Sequence, residues 1–389
     1  MRVLLVAPMP THPSRTGASA RIRHMAEALQ LLGHETHFLH LQQPLWSPDH
    51  AMRVWWGDRY DTFRGLSPLS CYRRARRKAL RLTAKAFHLN LPVDSYFDPG
   101  AARHLQGLFE RRSFDVVIVS YVFYSRLLEF VPVGVRRLLD THDVFSDRYL
   151  MYREHGQSGE FFSTSRTGEG RAFDRADVVL AIQESDARHF ATLSSTPVAV
   201  VGHLAPPLNA VAPSLPSSGA AMLFVGGPMG INVHGLRWFL DAVMPLVRLE
   251  VPDAELRLAG GIAGRIRGRG DEVRRYGFVE SLDELYRQAA VVINPQRFGT
   301  GLSIKSVDAL RHGRPLVTTS VGARGLEEGT GTAFLSADSA EEFATALVRL
   351  LRDPDRRAAL GVAAVGFSRE YYRRNLEVLD DVVSGVAVR

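Results

Sequence analysis

The residues best suited to chemistry lie in one stretch, positions 291–310, which reads VVINPQRFGTGLSIKSVDAL. An apolar strand runs into Pro295, a loop carries Gly299 and Gly301, and a helix begins near Ser303. Glycines let a backbone approach a ligand closely, and a helix N-terminus offers open N–H groups and a positive dipole end. That combination suits a diphosphate. Lys305 and Asp308 stand three residues apart and so share one face of this helix. A cation there would meet phosphate, with Arg297 as a second source of charge, and the Asp308 carboxylate could accept ribose hydroxyls. The same spacing also describes a plain strand–loop–helix joint with a surface ion pair.

A second group sits in the first half. Leu139-Asp140-Thr141-His142-Asp143 puts a histidine at the end of an apolar strand, with Arg148 close by. A lone histidine in that position is also an ordinary structural residue. Other chemistries find no pattern: no His/Cys spacing for zinc, no Gly-x-Ser-x-Gly elbow and no phosphate loop of the Walker type. With no Asp-x-Asp for a metal, phosphate charge falls to Lys, Arg and backbone amides. Neither a metal nor a cofactor is therefore expected.

Short apolar strands alternating with helical stretches position these residues, the pattern of a parallel α/β protein. Strands are expected at 2–8, 35–41, 114–120, 136–139, 177–182 and 198–201, and a helix at 18–32 stopped by Gly33. The stretch 204–219 holds Pro206, Pro207, Pro213 and Pro216 and makes the best linker. The pattern then restarts with strands at 221–225, 255–259, 291–294 and 316–319 and a long helix from Asn232. Ser281 and Ser339, each followed three residues later by Glu, have the capping-box form. The tail from Asp355 is helical. Ligands of such sheets sit at the carboxyl ends of the strands.

With 389 residues the chain is long enough for two cores. No apolar run reaches the roughly 20 residues that span a bilayer, and residues 3–7 are too short for a signal segment. The single cysteine, Cys71, fits a reducing compartment such as the cytoplasm. The net charge of +7 is concentrated at positions 73–85, where six of the seven cations between Arg73 and Lys85 precede Thr83. Residues 72–88 read as a basic amphipathic helix, with Leu80, Ala84 and Phe87 as an apolar strip. Such a helix can rest on the anionic inner face of a membrane or simply keep a surface solvated. No nucleic-acid motif accompanies it.

Most of the chain resembles glycosyltransferase family 4, in the retaining branch of the transferases with two Rossmann-like domains (GT-B). The resemblance rests on Asp308-Ala309-Leu310 followed by Gly313-Arg314-Pro315, on Val225-Gly226-Gly227 before Asn232, on Gly277-Phe278-Val279, and on Thr16-Gly17-Ala18. It implies an α/β fold of two Rossmann-like domains facing each other across a cleft. Residues 1–205 would form an acceptor domain and 206–370 a donor domain, with a helix at 371–389 returning to the first. It further implies a nucleotide-sugar donor and a glycan, lipid-linked or small-molecule acceptor. His142, Lys305 and Arg297 would be catalytic, and Gly17, Gly226, Val279, Gly299, Thr300, Gly301, Leu302 and Asp308 would bind donor. Asp308 stands where the family usually has glutamate, and Thr300 where it often has its sugar-contacting glutamate. An epimerase on the same plan, or a non-catalytic subunit, would carry the same fold.

Overall fold

The computed structural model describes residues 1–42, 49–87, 89–208, 219–267 and 270–386. The chain divides into two compact units, Met1–Leu204 with Asn375–Arg389, and Ala205–Arg374. The expected linker falls largely on residues 209–218, outside the described residues. The C-terminal helix, Pro354–Ser384, is shared between the units at Asn375.

The first unit is built on β1 (Arg2–Ala7), β2 (Glu35–Leu41), β3 (Tyr60–Phe63), β4 (Val116–Ser120), β5 (Arg136–Asp140), β6 (Val178–Ala181) and β7 (Val198–Val200). They form one parallel sheet in the order β3-β2-β1-β4-β5-β6-β7. The second unit has β8 (Ala221–Val225), β9 (Glu255–Ala259), β10 (Val273–Gly277), β11 (Val291–Asn294), β12 (Leu316–Thr318) and β13 (Leu335–Ser336). Its parallel sheet runs β10-β9-β8-β11-β12-β13. Both orders reverse direction after the first strand of the unit, the doubly wound plan, and each reversal opens a crevice at the carboxyl ends of two neighbouring strands. Those crevices lie beyond β1 and β4 in the first unit and beyond β8 and β11 in the second.

Side-chain alternation along the strands explains why both faces are covered. Met222 and Phe224 of β8 enter one buried cluster with Leu256, Ile293 and Phe343, while Leu223 enters another with Val292, Leu316 and Phe334. A strand buried on both faces reads as a near-continuous apolar run, as β4 and β11 do up to Ser120 and Asn294 at their ends. The helix Gly17–Leu31 starts at Thr16, whose hydroxyl accepts from the Ser19 amide, and it buries Ile22, Met25, Ala26 and Leu29.

The structure corrects several expectations. Ser339 caps its helix through the Glu342 amide, but Ser281 does not cap in that way. Its hydroxyl accepts from Asp283 two residues on, and the helix Asp283–Gln288 starts at Leu282 without a side-chain cap. The long helix expected from Asn232 begins at Gly230 and is interrupted by a π-helical turn at Phe239–Val243. Of Gly277-Phe278-Val279, Gly277 closes β10, so Val279 lies beyond that strand. The basic segment forms a helix at Pro68–Phe87; His88 lies outside the described residues.

Candidate functional site

Two loops meet at the reversal point of the second sheet, one after β8 and one after β11. Their approach depends on Gly235, in the helix Gly230–Trp238. A Cβ at this position would run into the Pro295 carbonyl oxygen, so only glycine lets that helix lie against the end of β11. Below the loop, buried Asn294 donates to the hydroxyls of Ser303 at 2.8 Å and Ser306 at 2.9 Å, fixing where the next helix begins. Gly299 and Gly301 then take positive φ angles, 142° and 74°. The helix Ile304–Arg311 follows from Ser303, which makes no side-chain cap bond. Its first amides have no intrahelical acceptor, and the positive dipole end lies with them.

Lys305 joins the two loops. Its Nζ donates to Asn232 Oδ1 at 3.1 Å and lies 3.4 Å from Ser303 Oγ and 5.5 Å from the centre of the Phe224 ring. Asn232 in turn donates to the Gly227 carbonyl at 3.0 Å. Among the described residues the Lys305 ammonium is in no ion pair, and burial brings its pKa down to about 8. A lysine whose charge is disfavoured by burial, beside open helix amides, is suited to receive a doubly charged group, which would favour its protonated form. The folded chain therefore holds fewer protons here than the unfolded chain between about pH 8 and the ordinary lysine range. This lysine accordingly adds stability as pH rises through that window.

A binding prediction follows. A nucleoside diphosphate should bind with net proton uptake near pH 8.5 and lose affinity as pH rises further. Calorimetry in buffers of different ionisation enthalpy measures that uptake; its persistence in Lys305→Gln would assign it to another group.

The other expected residues are placed as follows. Arg297 stacks on Trp238, 4.5 Å from the ring centre, and donates to the Asp338 carbonyl. The cation that reaches the glycine loop is Arg324, which donates to the Gly299 carbonyl. The Asp308 carboxylate accepts from Arg311 Nε at 2.7 Å and is thus already paired. The Gly226 amide donates to the Ala259 carbonyl at 3.0 Å, which leaves that glycine a role in close approach rather than donation. Thr300 follows Gly299 in the loop; Leu302 and Val279 are partly buried against the cluster of Leu223 and Val292.

In the first unit Gly17 is the exposed first residue of its helix, after β1. His142 follows β5 with φ 64°, and Tyr121 follows β4 with φ 75°. Two bulky residues in the left-handed region at adjacent strand ends mark a strained, over-determined corner. Their rings stack at 4.1 Å and 11°. His142 Nε2 lies 2.9 Å from Asp140 Oδ2. Asp140 is fully buried and takes a fork from Arg21, with Nη2 2.6 Å and Nε 3.0 Å from Oδ1. Burial works against the Asp140 charge, yet Arg21 and His142 hold its carboxyl well below the usual range. Arg21 also donates to the carbonyls of Val201 at 3.0 Å and Gly202 at 2.9 Å.

Asp143 pairs with Arg148. Buried Glu169 accepts from the amides of Phe145 at 2.8 Å and Ser146 at 2.7 Å, and burial raises its carboxyl to about 7. It holds the loop that follows His142. Tyr121, Arg21, Arg324 and Glu169 escaped the sequence reading, and Asn232 was read there only as part of a strand–loop–helix motif.

Two family profiles match the chain. "Glycosyl transferase 4-like domain" matches residues 16–202 and "Glycosyl transferases group 1" residues 219–353. An "Uncharacterized 44.6 kDa protein in cps region" of Klebsiella pneumoniae is 29% identical over 163 residues, 39% of this chain and 42% of that protein. D-inositol 3-phosphate glycosyltransferase of Rhodococcus opacus is 29% identical over 153 residues, 38% of this chain and 29% of that enzyme. The matches thus span less than half the length of these relatives. Among solved structures, sucrose-phosphate synthase from Thermosynechococcus elongatus superposes with TM-score 0.73 at 16% identity, covering 99% of each chain. TarM of S. aureus, solved with Fondaparinux, α-GlcNAc-glycerol and UDP, gives 0.70 at 8% identity, covering 98% of this chain and 100% of that one. Anabaena Alr3699/HepE with UDP and glucose gives 0.64 at 13% identity, covering 98% of each.

Proposed function

The chain belongs to the group 1, 4-like glycosyl transferases, a GT-B fold of two Rossmann-like units, and on that premise we propose that it transfers a sugar from a nucleotide diphosphate sugar to an acceptor hydroxyl with retention of configuration. The observation that carries this is Lys305: a cation with no carboxylate partner among the described residues, set between two glycine loops and a helix N-terminus. UDP in the TarM and HepE structures supports a nucleoside diphosphate in the second unit.

The bond from sugar C1 to the diphosphate oxygen breaks, and the acceptor oxygen bonds to C1 from the same face. The acceptor proton passes to the departing phosphate oxygen. Charge builds on that phosphate, where Lys305 and the amides after Gly299 stabilise it. Arg324 braces the loop through the Gly299 carbonyl. Asp308 takes the ribose hydroxyls while remaining paired to Arg311. No metal or cofactor has a part in this proposal.

The test is a panel of UDP-, GDP-, TDP- and ADP-sugars. One base should raise Tm by mass action, and the chain should release its nucleoside diphosphate. Isomerisation with the sugar still attached would favour an epimerase, and no effect from any donor would reject both.

His142 would touch the transferred sugar, its ring held by Tyr121 and Asp140. His142→Ala should depress transfer at least tenfold while calorimetry shows nearly unchanged affinity for the bare nucleoside diphosphate. Loss of that affinity as well would assign the residue to folding.

The exposed Leu69, Tyr72, Leu82 and Phe87 on the basic helix support peripheral contact with anionic lipid. No described helix is long and apolar enough to cross a membrane. The chain should float with anionic vesicles and be released by salt; sedimentation away from them would remove that contact.

A further inference from the structure

Beneath the basic helix, inside the first unit, lies a cavity of about 60 Å³, more than one water needs. It sits at the carboxyl ends of β2 and β3, lined by Arg64, Arg73, Arg74, Arg77, Ser95 and Asp98 among others. We propose that this cavity binds a phosphate group carried by the acceptor, an inference that rests on the transferase reading above.

Three observations carry it. First, Arg73, Arg74 and Arg77 converge on one cavity, and none of them forms an ion pair among the described residues. Like charges gathered in a recess repel unless an anion joins them. Second, two of these guanidinium groups are held rather than free-swinging. Arg74 Nη2 donates to the Gly65 carbonyl at 3.1 Å, and Arg77 stacks 4.2 Å from the centre of the buried Tyr96 ring. A stacked guanidinium keeps its N–H edges for a planar or tetrahedral oxyanion, which it meets with paired bonds. Third, Ser95 Oγ is buried and has no hydrogen-bond partner among the described residues. Buried hydroxyls are nearly always satisfied, and a phosphate oxygen here would satisfy this one.

Asp98, the single acid among the residues named, is committed elsewhere. Its Oδ1 accepts from the Gly100 amide at 2.8 Å and caps the helix Pro99–Arg111. The site therefore offers a net positive, partly preformed recess at the carboxyl edge of its sheet, the edge at which ligands of open parallel sheets bind.

The phosphate could belong to a water-soluble ester or to a lipid headgroup. The full chain is titrated with sn-glycerol 3-phosphate, and separately floated with phosphatidylglycerol vesicles. Binding of either probe that falls tenfold or more in Arg73→Gln/Arg77→Gln supports the proposal, the soluble probe pointing to an ester and vesicles alone to a headgroup. Ser95→Ala, which removes no charge, should weaken the same probe several-fold and serves if the double variant fails to fold. Equal binding by wild type and both variants, or no binding of either probe to wild type, overturns it. Nucleoside diphosphate binding is measured on the same wild-type sample. Its absence would overturn the transferase reading and leave phosphate binding in the cavity standing.

Discussion

Lys305→Ala should lower turnover by about 10²–10³-fold, the loss typical of removing one preorganised group that stabilises developing negative charge. Stability should hardly change. Among the described residues the ammonium has neutral partners, Asn232 at 3.1 Å and Ser303 at 3.4 Å, and burial already drives its pKa down. Removing a cation that lacks a counter-charge relieves a desolvation cost, while Asn232 loses one hydrogen bond of roughly 1 kcal/mol. The two effects oppose each other. Steady-state kinetics with a matching donor, beside thermal unfolding, decides the point. A proportional fall in kcat and in Tm would make Lys305 a structural residue.

Arg21→Met should be the most damaging single change to the first unit, at about 3–5 kcal/mol. It leaves Asp140 fully buried without the guanidinium fork that meets its carboxylate, with the His142 ring 2.9 Å away. The sign of the pH dependence identifies the cause. In wild type the Asp140 carboxyl is depressed, so its contribution is present above the unfolded carboxylate pKa and is lost as pH falls toward the folded value. In the variant the carboxyl is raised instead, so acidification through the range where Asp140 takes a proton should recover stability. Urea unfolding from pH 7 to pH 4.5 measures both. A variant that loses stability on acidification as wild type does would show that Arg21 acts through packing. The double change Arg21→Met/Asp140→Asn should cost less than Arg21→Met alone, because no charge is left behind.

Strands buried on both faces were legible from composition alone, since β4 and β11 are apolar up to their last residues, Ser120 and Asn294. Edge strand β7 was also read, but the edge strands β3 and β10 were not. β3 carries Asp61 and Thr62, and β10 carries Arg274 and Arg275, the polar dress that keeps sheet edges from pairing with other chains. The glycine loop and the helix after β11 could be placed by spacing, and so could Lys305. Which partners meet them could not. Asn232 reaches Lys305 from 73 positions away, and Arg21 reaches Asp140 from 119. Pairings of that length are set by sheet order, which periodicity does not encode. Arg324, which arrives from the loop after β12, went unread for the same reason. The Asp308–Arg311 pair was readable at i, i+3 but was overlooked. The left-handed backbone at Tyr121 and His142 had no signal, because neither residue type announces it.

The central claim is that residues 226–232 and 299–305 together hold the diphosphate of a nucleotide. Amide hydrogen exchange, with and without UDP, GDP, TDP or ADP, tests it without knowledge of sugar or acceptor. At least one nucleotide should slow exchange in both segments, with the largest effect at the first turn of the helix Ile304–Arg311. Protection confined to other parts of the chain, or none from any of the four, would contradict the account.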